Sequence, residues 1–545
     1  MKSYLHPILK SAIVALGAPE DTDVVLEAPR QADHGDLATS VALGLARALK
    51  QSPRQIAEAI VGRLEADSRY ISSVEIAGPG FINFRFTPEF YHAQLEEVAK
   101  LGESYGRSDF GRGVATNVEF VSANPTGPLH PGHGRNAAIG DTVANLLEWT
   151  GHDVTREYYF NNAGNQMQQL ARSLHIRYQQ LLGVEATIPE DGYHGEYLLA
   201  IAQRIRDEHG DRFSEPTQEN FDALRKLGVP EIMAGQRVTL EKLGIRHDVY
   251  FDEDSLYADG KIKEVIAELG ARGRTYEKDG ALWLRLEEFG LQDRVIVRST
   301  GEPTYRLPDI AYHVDKFRRG FKLVVDVFGA DHIATVHDVR AALEMLGYDV
   351  SGLTVLLYQM ITFLEGGEPT KLSKRSGKAL ELDDLIEELG ADVVRFFFIM
   401  RGINTQLEFD LDLAREQSDK NPVYYLQYAH ARTAGVLRHG ETLGVALRED
   451  ASLAPLTGEV ELALAKQILA FPEAVQRAAR EYEPQIVAEY LRELAQAYHK
   501  FQHDCRIVVE ENADVRDARV RLLAITRTTL ANGLRVLGVA APDRM

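Results

Sequence analysis

The sequence predicts an α/β protein in three parts: a small α/β unit over residues 1–112, a doubly wound parallel sheet over 113–416 with a subdomain inserted at 163–315, and an all-α unit over 417–545. Three observations carry that prediction. Two strand–loop–helix–strand runs sit far apart in the chain, one beginning NVEFVS and the other LVVDVFGADH, as the two halves of a doubly wound sheet require. The segment GFINFRF alternates apolar and polar residues as a half-buried strand does. Beyond Gln417 almost every apolar residue recurs at helical spacing.

In chain order, LATSVALGLARALK and QIAEAIVGRLEA read as helices beside the GFINFRF strand, and the glycine-rich LGESYGRSDFGRG reads as a linker. The first βαβ unit is NVEFVS, a proline- and glycine-rich loop, the helix NAAIGDTVANLLEWTG and the strand VTREYYF. The second is LVVDVFGADH, ATVHDVRAALEMLG and LTVLLYQMI, followed by the loop LEGGEPTKLSKRSGK. Helical patterns such as NQMQQLARSLHIRYQQLLG and a hairpin pairing GALWLRL with RVIVRS fill the insertion. Asn421-Pro422 is a helix start, an N-cap followed by proline at the first position. The helices VYYLQYAHARTAGVLRH, ELALAKQILAFPEAVQRAARE, IVAEYLRELAQAYHKFQHD and DARVRLLAITRTTLANGLRVLG come after it.

Composition narrows the function. The net charge of −20 argues against an indiscriminate nucleic-acid binder, yet leaves room for a local basic track. The single cysteine, Cys505, allows neither an internal disulfide nor a thiolate metal cluster, so a cytoplasmic location is expected. His6 and Lys10 interrupt the apolar N-terminus that a signal peptide needs, and the longest apolar stretch, LTVLLYQMITFL, falls short of the roughly 20 residues of a membrane span.

Chemistry concentrates at the ends of the two βαβ strands. In SANPTGPLHPGHGRNAAIGD, a strand end meets a helix start, where backbone N–H groups and the helix dipole favour an anion. His130 and His133 stand one turn apart there, with Pro131, Gly132 and Gly134 adding little bulk, so the imidazoles can donate to phosphate oxygens as charge builds up. Alone, the pair is equally a helix cap or part of a metal site. KLSKRSGK places Lys371, Lys374, Arg375 and Lys378 at the matching position of the second half without an intervening acid. Alone, it is a solvated basic loop. Two phosphate-type loops at equivalent strand ends favour a nucleotide.

These motifs resemble the H-x-G-H and K-M-S-K-S signatures of class I aminoacyl-tRNA synthetases. VEFVSANPTGPLHPGHGRNAAIGD, GEPTYRLPDIAYHVDKF, FGADH, KLSKRSGK, ADVVRFFFIM, NPVYYLQYAHAR and NGLRVLGVAAPDRM, with HGDLATSVA and GPGFINFRF near the N-terminus, are similar in order and spacing to the arginyl-tRNA synthetase family over nearly the whole chain. The resemblance implies ATP-dependent ligation of L-arginine to its tRNA through an arginyl adenylate, with Mg²⁺ accompanying ATP, by a cytoplasmic monomer. It assigns His130, Gly132, His133, Lys371, Ser373 and Lys374 to ATP, the two histidines and two lysines being catalytic, with no protein-held metal. It assigns Glu119, Asn124, Tyr305 and Asp309 to arginine, and Phe81, Asn83, Tyr425, Ala429 and Met545 to tRNA, the all-α unit being the anticodon-binding one. It further implies that activation waits for bound tRNA. Asp331 and His332 are open between adenosine contact and local capping. Pro131 and Leu372 depart from the signatures, but both are apolar and neither removes a donor. A small-molecule adenylyltransferase would not need the helical unit, a non-catalytic relative would have lost signature donors, and a cysteine-type synthetase needs thiolates that are missing here.

Overall fold

The computed structural model describes residues 1–29, 31–162, 164–330, 333–370 and 380–545. Lys371, Ser373 and Lys374 therefore lie outside the described residues, as do Asp331 and His332.

The N-terminal unit comprises α1 (Lys2–Ala15), β1 (Leu37–Thr39), α2 (Val41–Leu49), α3 (Pro53–Val61), β2 (Ile71–Ala77), β3 (Phe81–Phe86) and α4 (Pro88–Leu101), with the strands in the antiparallel order β1-β3-β2. The run LATSVALGLARALK is not helical throughout: Leu37 and Thr39 turn inward opposite Phe84 and Ile82, so the first three residues form a strand and the helix starts after Ser40.

The central part begins with β4 (Ala115–Glu119), α5 (Pro131–Trp149) and β5 (Asp153–Phe160). It continues through α6 (Gly164–Leu181), α7 (Glu196–His209), α8 (Gln218–Lys242), β6 (Val249–Asp252), α9 (Asp254–Ala258), α10 (Lys261–Ala271), β7 (Thr275–Lys278), β8 (Ala281–Leu284) and β9 (Arg294–Val297). Then come α11 (Arg306–Arg318), β10 (Leu323–Gly329), α12 (Ile333–Met345) and β11 (Leu353–Tyr358). Five strands form one parallel sheet in the order β11-β10-β4-β5-β6, reversing direction of growth at β4, as a doubly wound fold does. The stretch 163–315 is thus not a single insertion between two halves: β6 pairs with β5 as the edge strand of the main sheet, the helices α6 to α8 being its crossover. Four residues, all only half-buried, leave too weak a pattern to be read as a sheet strand.

Strand alternation sorts the sheet's two faces. Val118, Phe120, Val325 and Val327 join the apolar core that contains α5, while Val324 joins the core of α11 and α12. Asp326, Glu119 and Glu157, opposite one another on β10, β4 and β5, share the α11 face. Gly140 of α5 exists because of this packing: a Cβ there would stand 2.2 Å from Phe120 Cβ.

The chain then forms β12 (Ile361–Glu365), β13 (Glu368–Thr370), α13 (Leu382–Leu389), α14 (Ala391–Ile399), β14 (Leu407–Asp410) and α15 (Leu411–Arg415). LEGGEPT, expected to be loop, is a hairpin whose Gly366 and Gly367 take φ of 61° and 80°. The strand order is β13-β12-β14.

The C-terminal unit is all helical: α16 (Pro422–Thr442), α17 (Glu459–Leu469), α18 (Phe471–Glu481), α19 (Gln485–Asp504) and α20 (Ala513–Val536). Asn421 caps α16, its Oδ1 accepting from the N–H groups of Val423 and Tyr424. The run ELALAKQILAFPEAVQRAARE, expected as one helix, is two, because Pro472 opens α18 where the first helix stops. The N-terminal unit docks here: Arg521 grips Glu96 at 2.5 and 2.6 Å, and the Asn532 amide donates to the carbonyls of Gly102 and Tyr105.

The end of α20 is a Schellman turn, with Val539 N–H on Leu534 O and Gly538 N–H on Arg535 O. Gly538 has φ of 68°, and a Cβ there would stand 2.3 Å from the buried Arg395 guanidinium. Gly538→Ala should therefore lower stability by about 2 kcal/mol, read as a fall in Tm by thermal melting.

Candidate active site

At the carboxyl end of β4 the backbone turns sharply, Val121 and Ser122 both adopting positive φ, 68° and 43°. A β-branched residue in that region is strained and persists only where neighbours enforce it. Asn136 does so by accepting from Val121 N–H at 2.6 Å and donating to Val327 O at 2.8 Å, which ties the turn to α5 and β10. Ser122 Oγ donates to Glu119 Oε1 at 2.9 Å and accepts from Tyr159 N–H at 3.2 Å. The following loop is held by buried Gln236, which donates to Gly127 O and Asn124 O and accepts from Tyr158 OH.

That loop delivers His130 as the N-cap of α5. His130 Nδ1 accepts from His133 N–H at 3.3 Å, His133 Nδ1 accepts from His130 N–H at 3.4 Å, and the rings stack with centroids 3.6 Å apart. Burial lowers the pKa of both, and that of His133, next to the His130 ring, drops to about 3. With each Nδ1 accepting, the proton of each neutral ring sits on Nε2, so the pair presents two N–H donors at a helix N-terminus. Gly132 is needed by the histidines themselves: a Cβ would lie 2.7 Å from His130 Cε1. Gly134, expected to admit a phosphate, instead admits Leu382 and Phe398, whose side chains would stand 2.6 and 2.9 Å from a Cβ.

Beside this helix end lies a row of buried acids. Asp326, Glu119 and Glu157 sit side by side on β10, β4 and β5, and one face of α11 answers them. Lys316, fully buried, donates to Glu119 at 2.6 Å and Asp326 at 2.7 Å. His313 meets Asp326 at 2.9 Å, while Arg319 and Tyr312 hold Glu157 at 2.5 to 2.7 Å. Burial still raises the pKa of Glu119, and Asp326, pinned between Lys316 and His313, is held well below the usual carboxylate range.

Asp309 stands two turns before Lys316 on α11, and its carboxylate takes no hydrogen bond from the described residues. Burial, aided by the charges of Glu119, Glu253 and Asp326 against His313, pushes its pKa to about 7. Glu253, bonded by Tyr159 OH, is raised by burial as well. Asp309 and Glu253 thus add two half-buried carboxylates to the acid row of β10, β4 and β5, at the sheet end from which the loop to His130 departs.

Of the residues singled out from sequence, Glu119 and Asp309 belong to this acid cluster, Asn124 to the loop after β4, and His130, Gly132 and His133 to the start of α5. Asn124 is already engaged, donating to Gln166 at 2.8 Å and accepting from Asn161 N–H at 3.1 Å. Tyr305, assigned to arginine by the resemblance, is 61% exposed and lies against the Arg306 guanidinium, because it sits at the N-cap of α11 rather than on its buried face. Phe81 is exposed at the start of β3, and Asn83 is buried within it. Tyr425 meets His499 at 5.3 Å on a partly open face of α16, and Met545 is exposed. Ala429 is fully buried on the core face of that helix. Sequence reasoning missed Glu253, Lys316, His313, Asp326 and Gln236; only the helical spacing of His313, Lys316 and Arg319 after Asp309 hinted at a shared face. Among the described residues, no three His, Cys, Asp or Glu side chains are arranged to hold a metal ion.

Residues 113–395 match the profile of the tRNA synthetases class I (R) catalytic domain. Residues 3–86 match the arginyl tRNA synthetase N terminal domain, and 426–545 the DALR anticodon binding domain. The arginine–tRNA ligase of Salinibacter ruber is 49% identical over 100% of both chains, and that of Bacillus subtilis 44% identical over 100% of this chain and 99% of its own. The fold is also that of the arginyl-tRNA synthetases of Thermus thermophilus (TM-score 0.77, 22% identity, 100% of both chains) and Plasmodium falciparum (TM-score 0.76, 16% identity, 100% of this chain and 99% of that one). The chain belongs to the arginyl-tRNA synthetase family of class I aminoacyl-tRNA synthetases.

The unmet Asp309 carboxylate has a thermodynamic signature. A folded-state pKa of about 7 against 3.8 unfolded means that the folded protein binds the extra proton, so Asp309 opposes folding increasingly as pH rises through that window. Asp309→Asn should raise Tm at about pH 8 and lose that advantage as pH falls toward about 4, measured by melting curves across pH.

Proposed function

We propose that this protein ligates L-arginine to its tRNA in two steps, and that the Asp309 carboxylate, half-buried near Glu253 without a donor, is what selects the amino acid. A guanidinium carries five N–H donors in a planar fork and no acceptor, so it matches the Asp309 carboxylate, which takes no hydrogen bond from the described residues. Glu119, bridged by Lys316, is the second carboxylate for the guanidinium, Tyr305 is proposed to pack or hydrogen-bond beside it, and Asn124 to hold the α-amino or carboxylate end.

In the first step the arginine carboxylate attacks the α-phosphorus of ATP, and the bond to the β-phosphate breaks to release pyrophosphate. His130 and His133 donate their Nε2–H groups to phosphate oxygens as charge moves onto them, needing no proton transfer. Lys371, Ser373 and Lys374 are proposed from their motif to hold the leaving phosphates. Mg²⁺ enters with ATP as its phosphate chelate, part of the substrate, as is usual for this ion. In the second step a hydroxyl of the tRNA's terminal adenosine, the 2′-hydroxyl by class, attacks the carbonyl carbon and AMP leaves.

The proposed division of labour follows residues 1–112 for the tRNA elbow, with Phe81 and Asn83 as contacts, 113–416 for catalysis, and 417–545 for the anticodon. Tyr425 and Met545 are suited there, since aromatic and flexible apolar side chains stack on unpaired bases. The enzyme is proposed to act as a cytoplasmic monomer. Charging of total tRNA with each amino acid in turn tests the assignment: arginine alone should be esterified, and equal charging by another amino acid would end it.

Two substitutions separate the subsites. Asp309→Asn should raise the KM for arginine by about tenfold or more while leaving the KM for ATP nearly unchanged. In the wild type the arginine KM should fall as pH rises through about 7, because only ionised Asp309 pairs with the guanidinium, and this dependence should vanish in the variant. His133→Ala should slow adenylate formation by about a hundredfold with the fold intact, measured by single-turnover kinetics and circular dichroism.

A further inference from the structure

Arg135, one turn inside α5 from the histidine pair, is fully buried, yet among the described residues it has no carboxylate partner. Its guanidinium instead donates to two backbone carbonyls, through Nη1 to Gln359 O and through Nη2 to Thr405 O at 3.0 Å. Burial without a counter-charge lowers its pKa to about 10. An uncompensated buried cation is costly, and an apolar side chain would fill the same space at less expense of stability.

The two carbonyls show what the guanidinium gains. Gln359 lies between β11 and β12, and Thr405 lies just before β14, the parallel partner of β12 with Ile361 opposite Leu407. Arg135 thus spans the base of the β13-β12-β14 sheet, fixing it to the helix whose first turn carries His130 and His133. β13 ends at Thr370, the residue before the KLSKRSGK motif. Past that motif the chain is tied to the same helix start, with Leu382 N–H donating to Leu129 O at 2.8 Å.

We propose that Arg135 is a positioning residue for adenylate formation, setting the β12–β14 pair at a fixed distance from the histidine pair. A planar fork can hold two carbonyls at once in fixed directions, which a single ammonium cannot. The proposal rests on the ligase reading above, and its test is separable from it.

The test is arginine-dependent exchange of pyrophosphate into ATP by the full-length enzyme with cognate tRNA present, comparing wild type, Arg135→Lys and Arg135→Gln. Absence of exchange in the wild type would remove the ligase reading itself. With wild-type exchange in hand, both variants should lose about tenfold or more in kcat while the arginine KM stays within about twofold, because the amino-acid subsite is held by other residues. Hydrogen exchange should quicken in residues 361–365 and 407–410 and remain unchanged around Glu119 and Asp309. An unchanged kcat, a rise in arginine KM matching the loss of kcat, or uniformly faster hydrogen exchange would overturn the proposal. So would failure of both variants to fold, which would make the side chain a fold determinant rather than a positioning one.

Discussion

Three carboxylates in a row across adjacent parallel strands cannot all be ionised in a protein interior unless cations are brought to them, since the repulsion is poorly screened and desolvation is severe. Asp326, Glu119 and Glu157 impose that condition, and α11 with its C-cap residue Arg319 meets it through His313, Lys316, Arg319 and the hydroxyl of Tyr312, all within 2.5 to 2.9 Å. The helix has little freedom once these pairs form, because sliding or rotating it would strand a buried charge. Asp309 shares the helix face and is carried to the end of the sheet, where the cations of α11 are already spoken for. Its lack of a cationic partner is therefore a by-product of how the sheet and helix neutralise each other.

The opposite face of the sheet is governed by α5. Asp141 on this helix is shared by Arg156 of β5 and Arg395 of α14, and Arg395 also donates to Leu243 O beyond α8 and to Leu537 O at the end of α20. One buried guanidinium thus touches the helix of the histidine pair, the helical crossover and the last turn of the C-terminal unit. Such sites are stiff because every donor has a fixed acceptor, and any displacement of the C-terminal unit must be absorbed within a few bonds of α5. The Gly538 turn is shaped to let that guanidinium in.

Much of this was legible in the sequence. The two βαβ runs announced the parallel sheet because buried strands are continuous apolar runs and their helices are amphipathic or wholly buried. β6 was not legible, since the short VYFD takes its identity from pairing with β5 rather than from its own pattern. The division of α17 from α18 was written in Pro472 but masked by the apolar spacing on either side. His130 and His133 stood out because loops with little bulk expose what they carry. Lys316, Asp326 and Glu253 did not, because a charged residue in a sequence is ordinarily at the surface, and only the fold reveals which ones are buried together. Ala429 was carried over by resemblance alone, and its methyl group points into the core.

The reciprocal cap of His130 and His133 has a consequence for how the two rings are to be regarded. Each imidazole is aimed by the backbone N–H of the other, and each ring is the stacking surface of the other. Deleting one ring frees a backbone donor and removes the wall against which its partner rests, although the survivor's Nδ1 still accepts from the backbone N–H of the substituted residue. The pair then behaves as a single bidentate donor built from two residues. An energy measured for either one by substitution belongs to both, and the two losses do not add.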